Sequence, residues 1–295
     1  PSLLKSQDTL LLLGELYCIS TWILLFLRRF ILRGKRVFLW SHGWYGKEKG
    51  IKKILKRWFF SMSDATFLYG DYAKEVARKQ GYKKNNLYVV HNSLYHKNQV
   101  TLREKQVASD VYKEYFGNDK PTLIFIGRLT KVKRLELLLQ ALKKCEDNYN
   151  LVLVGDGESR ADLEQMVAQL GLSSNVWFYG ACYDEEENAK LLFNADLCVS
   201  PGNVGLTAVH AMTYGTPVIT NNNFAWQMPE FEAIRQGVTG DFFEHENADS
   251  LAFCIQQWFE NHGKQREKVR QACYNEIDRS WTPKYQMSIF KSVIG

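Results

Sequence analysis

The sequence lacks the short motifs that identify several common kinds of site. Its six cysteines are scattered without a CxxC pair, so we expect reduced, buried residues rather than a zinc site or a disulfide framework. It has no GxGxxG fingerprint of dinucleotide binding and no GxSxG turn of a serine hydrolase. Internal repeats and low-complexity tracts are absent too. The interpretation of the sequence therefore depends on its pattern of strands, helices and glycine turns.

The sequence also has no apolar run of membrane-spanning length. Leu10 to Ile31 is very apolar, but Glu15 and Arg28-Arg29 leave only about a dozen uninterrupted apolar residues, where a spanning helix needs roughly 20. We predict a strand at 9–13 and then a helix that starts near Ser20 and is buried against a parallel sheet. No secretory signal features flank this run, so we expect a cytoplasmic protein.

Short apolar strands alternate with helical patterns along the chain, which is typical of an α/β protein with parallel sheets. The predicted strands are 9–13, 36–40, 66–69, 87–90, 121–127, 151–154, 175–178, 196–199, 217–220 and 241–243. Residues 95–119 are polar, and we expect them to connect two domains and to include one helix ending near Phe116. After about Ala248 the chain is predicted to be helical, with a break at Trp281-Thr282-Pro283 because proline disfavours helix.

Charge is distributed unevenly between the two halves. Residues 1–115 carry 21 basic and 9 acidic side chains, a balance of +12, whereas residues 116–295 carry 17 and 23, a balance of −6. The most basic segment is a predicted helix near Lys47–Phe60 that ends in aromatic residues. It indicates either an ordinary solvated helix face or a surface that docks on an anionic membrane. No nucleic-acid-binding fold accompanies it, so we do not expect nucleic acid as a partner.

The segment from Ser200 to Thr220 contains a glycine-bearing turn that leads from an apolar strand into a helix. The helix is predicted to open at Gly205-Leu206-Thr207 and to end at Gly215. Free N–H groups and the positive end of the helix dipole make such a start a potential anion site, and phosphate is the usual anion. The alternative is an ordinary strand–turn–helix connection.

Several motifs occur in a defined order around this segment. They are PTLIFIG at 121–127 followed by Arg128-Leu129 and Lys133, the turn Gly155-Asp156-Gly157, a V-x-F-x-G pattern ending at Gly180, and GTPVI at 215–219. In this order and spacing they resemble the donor domain of glycosyltransferase family 4, the retaining glycosyl transferases group 1. The resemblance is strong over residues 123–243 and looser elsewhere.

The resemblance implies an α/β GT-B fold, with two Rossmann-like parallel-sheet domains facing a cleft. We expect an acceptor-side domain at 1–100 that lacks its first strands, and a nucleotide-sugar donor-binding domain at 101–281. A C-terminal helix at 282–295 is expected to cross back to the first domain. The donor diphosphate is expected to be clamped by Arg128 and Lys133, at the carboxyl end of a strand where open parallel sheets bind ligands. The other expected donor-binding residues are Gly127, Gly155, Gly180, Asn203, Val204, Gly205, Leu206, Thr207, His210 and Asn223.

The sequence departs from the family at its two-glutamate motif. In the family one glutamate contacts the sugar hydroxyls and the other the ribose, and Gly202 and His210 stand at these positions here. His210 can still hydrogen-bond ribose hydroxyls, whereas Gly202 has no side chain, so Asn203 or backbone groups would replace that contact. A different donor sugar, a catalytically dead chain and an error in the register are the three explanations.

Other polar residues have two interpretations. His42 follows a strand and, by resemblance, would touch the sugar; the alternative is a structural histidine. Asn221-Asn222-Asn223 would face the donor sugar or form a polar turn. The acidic run 184–187 is interpreted as the first turn of a helix, which acidic residues favour. His91 and His96 are interpreted as incidental.

By resemblance, we expect an enzyme that moves a sugar from a nucleotide-diphospho-sugar to a glycan or lipid-linked acceptor with retention. It would work in surface polysaccharide or glycolipid synthesis, on the inner face of the membrane if the basic helix docks there. No cofactor and no metal is expected, because cations and a helix dipole would stabilise the leaving diphosphate. The alternatives are a nucleotide-sugar epimerase of the same fold and an inactive sugar-nucleotide-binding or scaffold protein.

Overall fold

The computed structural model describes residues 7–31 and 34–295. Residues 1–6 and 32–33, which belong to the predicted first domain, lie outside the described residues. The chain divides into two compact units, which we call unit 1 (Pro1–Asn92 with Lys284–Gly295) and unit 2 (Ser93–Pro283). The divisions therefore fall after residues 92 and 283, where the sequence predicted 100 and 281.

Parallel strands alternate with helices in both units. The strands are β1 Thr9–Leu13, β2 Arg36–Ser41, β3 Ala65–Leu68, β4 Leu87–Val89, β5 Thr122–Ile126, β6 Asn150–Val154, β7 Val176–Gly180, β8 Leu197–Ser200, β9 Val218–Asn221 and β10 Gly240–Phe243. The helices are α1 Ile19–Phe30, α2 Gly50–Ser61, α3 Asp71–Lys79, α4 His96–Arg103, α5 Val111–Phe116, α6 Leu135–Lys144, α7 Arg160–Leu170, α8 Glu185–Asn194, α9 Leu206–Thr213, α10 Ala248–His262, α11 Arg266–Ser280 and α12 Pro283–Ile294. Short 3-10 turns occupy Lys131–Lys133, Phe224–Trp226 and Pro229–Ala233.

Unit 1 is built on a parallel sheet of four strands in the order β1-β2-β3-β4. Alternate side chains of β2 enter two different cores. Val37 and Leu39 pack with residues of α1 and α2, whereas Phe38 packs with Phe67 and with α12 on the other face. Because both faces are covered, residues 37–40 in the middle of the strand are all apolar, which explains why they show no polar alternation.

The C-terminal helix α12 supplies one of these layers. The Phe290 ring lies 4.5 Å from the ring of Phe67 and 5.2 Å from that of Trp40. Gln286 donates a hydrogen bond to the carbonyl of His91 (2.8 Å), and Arg36 donates one to the carbonyl of Ile294 (2.7 Å). The last helix of the chain is therefore part of the core of unit 1.

Helix α1 differs from its predicted burial. Leu24 and Leu25 are buried against the sheet as expected. A second apolar stripe is exposed, with exposed fractions between 48% and 74%: Ile19, Ile23, Phe26 and Phe30. The predicted burial of this helix against the sheet is therefore confirmed for one face only, because an apolar composition alone does not say how many faces of a helix find a partner.

Unit 2 contains a parallel sheet of six strands in the order β10-β9-β8-β5-β6-β7. All five residues of β5 and all five of β6 are buried, as expected for central strands between two helical layers. The polar segment 95–119 holds two helices, α4 and α5, where the sequence predicted one. The carboxyl ends of β5, β6, β8 and β9 share one edge of this sheet, where the candidate site lies.

The six cysteines differ in burial, and the described helices differ from membrane-spanning ones. Cys145, Cys198 and Cys273 are buried, but three further cysteines are only half-buried: Cys18, Cys182 and Cys254. The prediction of buried cysteines is therefore wrong for half of them. No helix in the described ranges is both long and apolar enough to cross a bilayer.

We expect Phe290→Ala to lower the free energy of unfolding by about 2–3 kcal/mol, somewhat less than for a fully buried phenylalanine. The cause is the lost packing against Phe67 and Trp40 in unit 1. Chemical denaturation measures the effect. Met287→Ala on the same helix is the control, because Met287 is 51% exposed and its loss should change stability by less than about 0.5 kcal/mol. Equal losses in both variants would contradict the packing role of α12.

Candidate functional site

Glycines bring the carboxyl ends of β5, β6 and β7 close together in unit 2. The N–H of Gly127 donates to the carbonyl of Val154 (2.9 Å), and the N–H of Gly155 donates to the carbonyl of Gly180 (2.8 Å). Gly155 has a φ of +146°, and a Cβ there would lie 2.9 Å from the carbonyl carbon of Gly127. Only glycine fits this close approach. The predicted residues Gly127, Gly155 and Gly180 therefore share one edge of the sheet.

The amino end of α9 lies at the same edge. The Thr207 hydroxyl donates to the carbonyl of Ile126 (3.0 Å), which fixes the first turn of the helix beside the end of β5. Gly205 precedes the helix with a φ of +53°. Within the described part of the chain, no group accepts a hydrogen bond from the N–H groups of Gly205, Leu206 and Thr207. Unpaired N–H donors and the positive end of a helix dipole are the features that anion-binding turns share.

The loop that precedes α9 is held by two buried amide side chains. Gln227 donates to the carbonyls of Gly202 (3.2 Å) and Asn221 (3.1 Å), and its oxygen accepts the N–H of Val204 (2.9 Å). Asn221 donates to the carbonyl of Gly202 (2.9 Å) and accepts the N–H of Asn223 (3.0 Å). The sequence analysis gave Asn221 two alternatives, a contact with the donor sugar or a place in a polar turn. These hydrogen bonds give it the structural role. The N–H of Val204, a predicted donor-binding residue, is already used inside the protein.

Lys133 lies beside this loop. It ends a short 3-10 turn, Lys131–Lys133, and its Nζ donates to both the carbonyl (2.7 Å) and the side-chain oxygen (2.9 Å) of Asn203. The predicted residues Lys133 and Asn203 are thus brought together, seventy residues apart in sequence. The Asn203 side chain thus orients the ammonium group of Lys133. It does not stand free to replace the sugar contact of the family glutamate.

The electrostatic surroundings of Lys133 favour an anion. Burial lowers the pKa of Lys133 below its ordinary value of 10.5; Glu230 opposes that change and Arg128 adds to it. Arg128 follows β5 and is exposed, and its guanidinium has no ion-pair or hydrogen-bond partner among residues 7–31 and 34–295. The Arg128 guanidinium is therefore close enough to disfavour the charge on the partly buried ammonium group of Lys133. An anion bound beside these two cations would stabilise both of them.

The absence of a glutamate at position 202 has a steric cause. The N–H of Gly202 donates to the carbonyl of Lys133 (2.9 Å), so the two backbone segments are in direct contact. A Cβ at Gly202 would lie 2.7 Å from the Cα of Lys133 and would overlap the carbonyl oxygen of Val132. Any side chain at this position would displace the Lys131–Lys133 turn.

His210 lies in α9, about one turn after the start of the helix. It has an acidic partner that the sequence analysis did not predict. Its Nε2 lies 3.0 Å from Oε1 of Glu185, at the start of α8. Tyr214 (2.7 Å) and Gln99 (2.8 Å) donate to the same oxygen. Burial raises the pKa of Glu185, but the hydrogen bonds from His210, Tyr214 and Gln99 outweigh it and lower the pKa to about 2. The helix start at 184–187 was predicted; the contact with His210 was not, because it joins separate helices.

His42 lies in unit 1, whereas Arg128 and Lys133 lie in unit 2. It follows β2, and its ring lies 4.8 Å from the ring of Tyr69. Its Nδ1 is buried and has no hydrogen-bond partner within the described ranges. His42 lines a cavity of about 710 Å³, together with residues 14–17 after β1 and with Lys52 and Leu55 of α2. A ligand in this cavity would be able to reach the imidazole.

A buried ion pair shapes the wall of this cavity. Glu48 binds Nζ of Lys56 (2.5 Å) and accepts the N–H groups of Tyr45 (3.1 Å) and Gly46 (3.0 Å). Burial raises the pKa of Glu48, but the hydrogen bonds and the charge of Lys56 outweigh it and lower the pKa to about 2. Lys56 was predicted to belong to the basic surface; it points inward instead and holds the loop after β2.

The remaining polar residues of the sequence analysis have structural contacts. His96 Nε2 lies 2.8 Å from Oδ1 of Asp278, which also accepts from Arg103, so His96 takes part in a structural contact. The carbonyl of His91 accepts a hydrogen bond from Gln286. Within the ranges that the structure describes, no three His, Cys, Asp or Glu side chains are grouped as they would be around a metal ion.

The family of glycosyl transferases group 1 matches residues 110–276, more than half of the chain. The chain therefore belongs to this family, as its motif order predicted. The match lies within unit 2 and includes the glycine-rich edge, Lys133 and α9.

The chain is also similar to individual proteins. The chain is 31% identical over 170 residues to an uncharacterized glycosyltransferase of Methanocaldococcus jannaschii, an alignment that covers 56% of this chain and 42% of the relative. It is 27% identical over 256 residues to an uncharacterized 41.2 kDa protein in the cps region of Klebsiella pneumoniae, covering 83% of this chain and 66% of the relative. The chain thus spans less than two thirds of either relative.

Solved structures confirm the predicted α/β GT-B fold. The crystal structure of Anabaena HepE in complex with UDP superposes with a TM-score of 0.76 at 16% identity, covering 99% of this chain and 80% of that one. At this identity the similarity establishes the fold alone.

We expect that restoring the family glutamate by Gly202→Glu will destabilise the protein rather than improve it. The new side chain has no room beside Val132 and Lys133, so the melting temperature should fall by several degrees. Differential scanning fluorimetry measures the shift. Ala161→Glu is the control, because it adds the same charge at an exposed position of α7 and should leave the melting temperature unchanged. An unchanged melting temperature in Gly202→Glu would show that the turn yields easily.

Proposed function

We propose that this protein transfers a sugar from a nucleotide-diphospho-sugar to an acceptor, and that unit 2 binds the donor. The observation that supports this most directly is the grouping of cations and free N–H donors at one sheet edge. Arg128 and Lys133 come from the β5 side, and the first turn of α9 contributes its N–H groups. Family membership supports the reaction class, and the UDP in the Anabaena HepE structure supports a nucleoside diphosphate as the anion.

The chemistry of transfer explains why such a site is needed. When the anomeric C–O bond breaks, the leaving diphosphate gains negative charge, and preorganised donors stabilise it. Arg128, Lys133 and the α9 turn would supply this stabilisation without a metal ion. We propose retention of configuration by attack from the face that the diphosphate leaves, with a donor phosphate oxygen accepting the proton of the acceptor hydroxyl.

For the acceptor we propose the cavity of unit 1. Its volume of about 710 Å³ suits a sugar or a short glycan, and aromatic side chains in its wall can pack against sugar rings. His42 would hydrogen-bond a hydroxyl group there. The Klebsiella relative from a cps region supports a role in surface polysaccharide or glycolipid synthesis, with a glycan or lipid-linked acceptor.

We expect Arg128→Ala and Lys133→Ala each to weaken binding of the nucleoside diphosphate by about 1–3 kcal/mol, the range for a charge-assisted hydrogen bond. A thermal-shift panel of UDP, GDP, CDP, ADP and dTDP with their sugar conjugates selects the nucleotide, and calorimetry measures the affinities. Lys131→Ala is the matched control, because Lys131 is an exposed lysine of the same turn.

The same panel separates the alternative functions. Undiminished affinity in both Arg128→Ala and Lys133→Ala would refute the diphosphate clamp. Conversion of a sugar nucleotide without any acceptor would favour an epimerase. Nucleotide binding without turnover, in a chain of the relatives' full length, would favour a scaffold role.

We also propose that unit 1 docks on an anionic membrane through one surface, which we call the α1–α2 surface. It consists of the exposed apolar side chains Ile19, Ile23, Phe26 and Phe30 of α1 and Ile51, Ile54, Leu55 and Trp58 of α2. The two helices are neighbours, since the rings of Trp22 and Trp58 lie 5.5 Å apart. Lys49 and Lys52 are exposed beside the apolar residues of α2. Apolar side chains with adjacent lysines suit the interface of the anionic cytoplasmic leaflet.

We expect the double variant Ile51→Ser/Ile54→Ser to bind phosphatidylglycerol vesicles about tenfold more weakly than the wild type, because less apolar area enters the interface. Vesicle co-sedimentation measures the binding, and it should weaken as salt screens the lysines. Phe253→Ser is the control, since Phe253 is 63% exposed on α10 of unit 2. Equal binding of the wild type to phosphatidylglycerol and phosphatidylcholine vesicles would contradict the charge component.

A further inference from the structure

The first turn of α8 holds a carboxylate that serves another helix. Asp184 caps α8 by accepting the N–H of Glu186 (2.8 Å). The next residue, Glu185, instead binds His210 of α9, and its Oε1 also accepts from Tyr214 and Gln99. Three donors on one oxygen fix the carboxylate.

This contact determines the orientation of the His210 ring. A carboxylate at its pH-7 charge only accepts hydrogen bonds, so the ring nitrogen Nε2 has to carry the proton. In the neutral imidazole, Nδ1 is then the acceptor. Nδ1 has no hydrogen-bond partner among residues 7–31 and 34–295, and it is not among the buried unpartnered atoms. The His210 side chain is 17% exposed. One nitrogen is therefore fixed by the protein and the other is left for a ligand.

His210 is placed along the edge where the nucleotide would bind. Thr207 and His210 are three residues apart and share one face of α9. Thr207 bonds the carbonyl of Ile126 at the end of β5, and Glu185 begins the helix that follows β7. His210 thus lies on the helix face that runs from the end of β5 toward the start of α8.

We propose that Glu185 is a positioning residue that holds His210 so that Nδ1 accepts a hydrogen bond from a ribose hydroxyl of the donor. The inference rests on the proposed donor site in unit 2. Its new element is the carboxylate: a glutamate from α8 acts through a histidine of α9, with Tyr214 and Gln99 fixing that carboxylate in turn. Glu185 itself does not touch the nucleotide in this arrangement.

The test compares UDP with 2′-deoxy-UDP and 3′-deoxy-UDP by calorimetry. We expect the wild type to prefer UDP over at least one deoxy nucleotide by about threefold to tenfold, the worth of one hydrogen bond. Glu185→Ala and His210→Ala should both reduce this preference to about one. Glu185→Gln should retain much of it, because an amide oxygen still accepts from Nε2.

The control is Glu186→Ala, which removes the same charge from the same turn of α8 at an exposed position and should keep the wild-type preference. The preference is a ratio, so a partly unfolded variant loses binding to all three nucleotides and leaves the ratio unchanged. In the His210→Ala background, Glu185→Ala should cause no further change, since its effect passes through the ring.

The outcomes distinguish this inference from the proposed function. A Glu185→Ala variant that binds UDP with the wild-type preference would overturn the positioning role alone. A further loss in the double variant would overturn the indirect role and assign Glu185 a direct contact. Failure of the wild type to bind any nucleoside diphosphate of the panel would overturn both.

Discussion

The candidate donor site depends on one backbone contact, between Gly202 and the turn Lys131–Lys133. Because the Gly202 N–H bonds the Lys133 carbonyl, the turn lies directly on the loop before α9. This places Nζ of Lys133 within reach of Asn203, and it leaves no space for a side chain at position 202. The close approach of these two backbone segments therefore explains both the lack of a glutamate at position 202 and the orientation of the Lys133 side chain.

The loops around the candidate sites of the two units are stabilised in a similar way. In each unit, loops after parallel strands are fixed by buried polar side chains, so that other polar groups stay available for ligands. Gln227 and Asn221 hold the loop before α9 in unit 2, and Glu48 with Lys56 holds the loop after β2 in unit 1. Buried groups that are fully bonded give rigid loops, which a site that stabilises developing charge needs.

Much of this arrangement was predictable from the sequence. The strands were predicted to within one or two residues, because apolar runs between glycine turns are a strong local signal. The grouping of Gly127, Gly155 and Gly180 at one edge followed from parallel topology. The helix His96–Arg103 was missed because its polar sequence gives a weak period. The exposed stripe of α1 was missed because burial depends on neighbours rather than on composition.

The sequence by itself determined the family, the alternation of strands and helices, and the presence of Arg128 and Lys133 after β5. These depend on local patterns and on the spacing of motifs along the chain. Only the tertiary structure decided that Lys133 binds Asn203, that Lys56 turns inward to Glu48, and that His210 binds Glu185. Each of these contacts joins different elements of the chain. Residue spacing carries no information about such pairs, because the packing of strands and helices alone sets which side chains meet.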